Sequence, residues 1–190
     1  MTPRTELGVE DIRSLLEDLG RRLEAQGVHA TVYIVGGAAM ALEMDVRRVT
    51  ADIDAIFHPE ATVEAVAAEM ATEHGLRHDW LNQSARAFVP GGDASAIALD
   101  VPGIAVALAS PEHLLAMKLA AFRPTDVPDL ELLFRELDIG TAEHAADLAV
   151  SVYGEASVVL PGRDELLVSA QAVLNRLRKD SSGGRVRPET

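Results

Sequence analysis

The feature that most constrains this chain is a change of pattern at residue 110. Before it, segments of helical and strand period alternate; after it, only helical periods remain. That order predicts a mixed α/β (α+β) fold: a small mixed sheet with flanking helices, followed by a helical part. We place the α/β core at 1–109, a helical subdomain at 110–179, and a disordered tail at 180–190, where Ser, Gly and charge accumulate.

The elements can be read in order. Ile12, Leu15, Leu16, Leu19 and Leu23 recur at three- and four-residue spacing, so 9–26 is an amphipathic helix closed by Gly27. Thr31 to Val35 is β-branched and aromatic, a buried strand. Gly36-Gly37 breaks it, and a short helix runs from Ala38 to Met44. Asp52 to Phe57 reads as a second strand with Ile53, Ala55 and Phe57 on one side. A helix over 60–74 ends at Gly75, and 76–90 has no clear period. Strands follow at 96–100 and 104–109, joined by Pro102-Gly103. Ser110-Pro111-Glu112 opens a helix to about Phe122. Further helices are expected at 129–137, 141–153 and 163–179.

Charge narrows the function classes. The 190 residues carry a formal net charge of −13, which argues against a broadly basic nucleic-acid surface. The absence of cysteine excludes disulfides, thiolate zinc sites and thiol catalysis. The N-terminal residues lack an apolar signal core, and no apolar run reaches membrane-spanning length, so the expected location is cytoplasmic, with no membrane partner.

The chemistry concentrates in two short stretches. Asp52 and Asp54 alternate in a strand-like run, so both face one way, about 6.6 Å apart along the strand. Two such carboxylates suit a hard divalent cation, Mg²⁺ (or Mn²⁺), shared with substrate phosphates; a polar strand edge is the plain alternative. A strand that ends in Gly36-Gly37 and opens a helix exposes backbone N–H groups, an anion site suited to a triphosphate. A tight turn with no ligand fits Gly36-Gly37 equally well. The histidines His74, His78, His113 and His144 lack zinc-like spacing. Trp80 is either core or pocket lining, and Arg47-Arg48 either attracts an acidic substrate or is a solvated loop.

Together, Tyr33-Ile34-Val35-Gly36-Gly37-Ala38-Ala39, Arg48-Val49-Thr50-Ala51-Asp52-Ile53-Asp54 and the helix from Ala109 to Leu119 resemble the polymerase-β-like nucleotidyltransferase superfamily. More narrowly, they are similar to small bacterial nucleotidyltransferases related to AbiEii-type toxins of toxin–antitoxin systems, over roughly residues 30–137. The resemblance implies a nucleotidyltransferase-type sheet and transfer of a nucleoside monophosphate from a nucleoside triphosphate to an acceptor hydroxyl. It implies that Gly36, Gly37 and Thr50 cradle the nucleotide and that Asp52 and Asp54 bind metal. Lys118 and Arg123 would meet phosphates, and Asp129 would join the catalytic set. Superfamily members often carry a third carboxylate on a later strand; Asp100 is the acid in the 97–101 run, as that base or as a strand-end residue. Lys118, on an otherwise apolar helix, either serves the nucleotide or snorkels to the surface. The acceptor stays open among a tRNA 3′ end, a protein hydroxyl and a small molecule such as an aminoglycoside. Toxin relatives imply a cognate antitoxin as partner. A catalytically inactive binding or regulatory protein on the same fold is the alternative function.

Overall fold

The computed structural model describes residues 6–183. They divide into two compact units, residues 6–89 with 93–110, and residues 90–92 with 111–183. Residues 180–183, expected to be disordered, continue the last helix, and the rest of the expected tail lies outside the described residues.

The first unit is a five-stranded mixed sheet with three helices, in agreement with the expected fold class. Its elements are α1 (Val9–Ala25), β1 (Ala30–Ile34), α2 (Gly36–Glu43), β2 (Ile53–His58), α3 (Glu60–His74), β3 (Leu81–Asn82), β4 (Ile97–Leu99) and β5 (Ile104–Leu108). The strand order is β3-β2-β1-β5-β4. β1 runs antiparallel to β2 and parallel to β5, β3 joins β2 in parallel, and β4 closes the other edge antiparallel to β5.

The two sheet faces differ, as the period of two requires. Val32, Ile34, Ile53, Ala55, Phe57, Val106 and Leu108 are buried on one face. There α1 packs on β5 and α3 on β2, and α1 and α3 pack on each other. The apolar stripe of α1 that the spacing predicts is the stripe that is buried. The opposite face carries Thr31, Tyr33, Asp54, Ile56 and Ala105, none of them buried.

Glycine sets two close approaches. A Cβ on Gly20 would collide with the backbone carbonyl of Pro102, and one on Gly103 (φ +83°) with the backbone of Gly20. The bare backbones of α1 and the β4–β5 turn therefore meet directly. Trp80 proves to be core: it is 1% exposed, and its indole Nε1–H donates to the Ala67 carbonyl at 2.9 Å.

The second unit is built from α4 (Pro111–Ala121), α5 (Val127–Glu136), α6 (Ala142–Tyr153) and α7 (Arg163–Gly183). α4 packs on α5, α6 and α7 around Leu115, Leu119, Leu133 and Phe134. Ala145, Ala146 and Ala149 of α6 are fully buried, and their small size lets α4 and α7 come close. Thr141 caps α6, its hydroxyl accepting from the His144 N–H. No helix among the described residues is long and apolar enough to cross a membrane.

Candidate active site

The site in the first unit forms where β1 ends and β2 begins. Because these strands are antiparallel neighbours, the two events fall at one end of the sheet. The Val35 N–H donates to the Asp54 carbonyl at 2.9 Å, fixing Gly36 beside Asp54. Gly36 has φ +63°, a left-handed conformation that side-chain-bearing residues resist. A Cβ there would lie 3.4 Å from Asp54 Oδ2. A Cβ on Gly37 would lie 2.9 Å from Thr50 Oγ1 and 3.7 Å from Arg48 Nη2. Gly36 is thus needed for its φ and Gly37 for the close approach of Thr50, and α2 starts with backbone alone.

Asp52 lies one residue ahead of β2 and Asp54 within it. Both are half-buried, and the residues alternating with them, Ile53 and Ala55, are fully buried. Asp54 therefore takes the open face of β2, and Asp52 stands in the bend just ahead of the strand. Burial pushes the Asp52 carboxyl above the usual aspartate range; Asp79 adds to the rise and Arg77 opposes it. Arg77 is itself held by Asp79 at 2.5 Å. Thr50 works on this pair indirectly. Its hydroxyl donates to the Asp52 carbonyl at 3.1 Å, while its backbone bridges Leu7. Residues 45–50 are thereby pinned at both ends of the Arg47-Arg48 loop, where Asp45 accepts from the Arg47 N–H.

These residues fit a small divalent cation. Two carboxylates match what Mg²⁺ takes from a protein when phosphates supply other ligands. Among the described residues no cluster of three or more His, Asp or Glu that could hold a metal is present.

Asp100 is not brought to the pair. Leu99 is level with Val106 of β5, which is level with Val32 and so with Phe57. Asp100 follows beyond that level, exposed, about 13 Å along the strands from Asp54. The direction of β4 is the cause: it runs away from the site end, so an acid after its last residue leaves the site.

One acid at the site end carries no sequence motif. Asp93 Oδ2 accepts from the Tyr33 hydroxyl at 2.7 Å and from the Ser110 N–H at 2.8 Å, and its Oδ1 from the Ser95 N–H at 3.2 Å. Burial first, then the Asp93 carboxylate, push the Tyr33 phenol well above its usual value. The only sequence hint was the Gly91-Gly92-Asp93 turn, which does not reveal a partner 60 residues earlier.

In the second unit Lys118 neither reaches the surface nor stands alone. Its Nζ lies 2.7 Å from Asp129 Oδ2 and 3.0 Å from Asp126 Oδ1. The Lys118 and Asp129 side chains are 9% and 1% exposed. The short Pro124–Asp126 turn between α4 and α5 brings the acids back onto the lysine. Arg123, which opens that turn, is exposed, and its carbonyl accepts from the Asp126 N–H at 2.9 Å.

Comparison with known proteins agrees with the general reading. A crystal structure of an antigenic nucleotidyltransferase-like protein from Paracoccidioides brasiliensis is similar at 18% identity and a TM-score of 0.47, over 94% of this chain and 93% of that one. A likeness of that size carries no argument by itself. No curated protein matches significantly. The family model described as nucleotidyltransferase of unknown function (DUF6036) matches residues 10–158. That match spans the whole sheet, the Gly-Gly turn, the carboxylate pair and most of the helical unit, and the chain belongs to this nucleotidyltransferase family.

Proposed function

We propose that the protein is a metal-dependent nucleotidyltransferase that moves a nucleoside monophosphate from a nucleoside triphosphate to an acceptor hydroxyl. One observation carries the reading: Asp54, on the open face of β2 and two residues after the half-buried Asp52, lies beside Gly36 where Gly36 and Gly37 strip the α2 N-terminus of side chains.

Asp52 and Asp54 would hold Mg²⁺ (or Mn²⁺), which when bound supplies charge neutralisation and orientation of the phosphates. The first N–H groups of α2 face the same end, and a helix N-terminus favours an anion. Gly36 and Gly37 let phosphate oxygens approach that backbone. Thr50 holds Asp52 in place through its carbonyl. The acceptor oxygen forms a bond to the α-phosphorus, the α–β anhydride bond breaks, and pyrophosphate leaves with the bonding pair. The hydroxyl proton passes to water. Lys118 and Asp129 act on each other, and in this reading they position the α4–α5 corner.

Calorimetry with Mg²⁺ and each nucleoside triphosphate tests the site. Binding is expected in the wild type and lost in Asp52→Asn/Asp54→Asn. Release of pyrophosphate with label transferred from the α-phosphate is expected only in the wild type. Unchanged binding in the double variant ends the reading. The remoteness of Asp100 favours one alternative, nucleotide binding without transfer; binding with no pyrophosphate release under any acceptor selects it.

A further inference from the structure

The sheet face that carries Asp54 continues into a groove of about 410 Å³. Ile56 is the next residue of β2 on that face after Asp54, so the groove begins about 6.6 Å from Asp54. Its floor is Thr31, Tyr33, Ile56, Ala105 and Ala107, and Arg86 stands at its side. The small side chains of β5 make the trough, and Tyr33 is fixed at its edge by Asp93.

Volume and charge together limit what can lie there. A space of this size suits a drug-sized molecule, which ordinary ligand pockets of about 300–1,000 Å³ enclose. Nucleic-acid binding needs several cations facing phosphates. The groove offers none: Arg86, its one Lys or Arg, is committed to Glu60 at 2.7 Å. The nearby Arg77 is committed to Asp79. The chain holds two lysines, and its formal charge is −13.

We propose that this groove is the acceptor site, and that the acceptor is a small neutral or cationic compound bearing a hydroxyl. The inference rests on the nucleotidyltransferase reading. The acceptor lies along Ile56 and Ala107 with its hydroxyl toward Asp54. There its oxygen bonds to the α-phosphorus as pyrophosphate departs, and its proton goes to water. Apolar floor contacts select its ring or chain, and Arg86, paired with Glu60, is the one Lys or Arg of the lining that could meet a phosphate on the acceptor.

The test uses the full chain, Mg²⁺ and α-labelled nucleoside triphosphates. Two acceptor pools are compared: the ultrafiltrate of a cell extract, and its retained RNA and protein. Label is expected in a small product from the ultrafiltrate. Ala105→Phe, which fills the trough from an exposed position, lowers that transfer by about tenfold or more, and Ala105→Val by less. Nucleotide affinity measured by calorimetry stays within about twofold for both, which also reports that they fold. Label entering only RNA or protein overturns the acceptor class, as does nucleotide binding with no label in the ultrafiltrate. Small-molecule transfer that Ala105→Phe leaves intact overturns the groove. Absence of nucleotide binding in the wild type instead removes the underlying reading, and this inference with it.

Discussion

The buried lysine of α4 gives the sharpest stability test. Lys118 donates to Asp126 and its Nζ lies 2.7 Å from Asp129 Oδ2 as an ion pair, with Asp129 almost wholly excluded from solvent. Lys118→Met keeps the apolar stem and removes the charge, leaving a carboxylate in the core. Breaking a buried pair from one side costs about 3–5 kcal/mol. Asp126, with a side chain 16% exposed, can turn partly to water and does not add a second penalty of that size. At about 2–4 °C per kcal/mol for a chain of this length, the melting temperature should fall by about 6–20 °C. Adding Asp129→Leu removes the stranded charge, and the double variant should return to within about 2 kcal/mol of the wild type. Urea and thermal unfolding of the full chain, followed by circular dichroism, measure all three. The helical unit has its own core, so its transition is the one expected to move. A single-variant loss below about 1 kcal/mol would mean the pair is solvated. A double variant as unstable as Lys118→Met would mean that packing, not charge, was lost. If the stable double variant also fails in nucleotide transfer, Lys118 touches substrate and the positioning role is wrong.

Three further outcomes are expected. Gly36→Ala forces a side chain into φ +63° beside Asp54; a cost of about 1–2 kcal/mol and loss of Mn²⁺ binding, read by calorimetry, are expected, and unchanged Mn²⁺ affinity contradicts the cradle. Gly37→Ala, whose Cβ would meet Thr50 Oγ1 at 2.9 Å, should be rescued in nucleotide affinity by adding Thr50→Ala; no rescue means the Thr50 contact is not what excludes a side chain. Asp52 has a folded pKa raised by burial, so the folded state holds its proton more tightly than the unfolded chain. Its destabilising effect is absent below the ordinary aspartate pKa, grows as pH rises through the raised value, and is full at neutral pH. Asp52→Asn should therefore be more stable than wild type at neutral pH without metal, with the gap closing in acid; melting temperatures across pH that run parallel contradict this.

Most of the elements were legible because each rests on a local signal. Gly75, with φ +64°, ends α3 where the glycine predicts. The period of two assigns Ile53 and Ala55 to the core and Asp54 between them to the other face. The strand Leu81–Asn82 was not legible. It is two residues long and is held by its register with Ile53 and Asp54, which no local period announces. Asp100 misled because strand direction is a property of the sheet: its place after β4 is clear in the sequence, but which end of the sheet that is depends on β5. The contacts of Asp93 and Lys118 were not legible for a related reason. Their partners are fixed by turns, and a turn shows where a chain bends without showing what it then meets.

The antiparallel pairing of β1 with β2 also bears on how the family can diverge. Length changes between residues 45 and 49 fall in a loop anchored on both sides, and can be absorbed without moving Asp54. One residue inserted within β2 turns every later side chain over. Placed before Asp54, it would carry that aspartate into the layer beneath α3 and bring Ala55 and Phe57 out in its stead. The 45–49 loop can thus take a change of length, while the six residues of β2 are held to a fixed count.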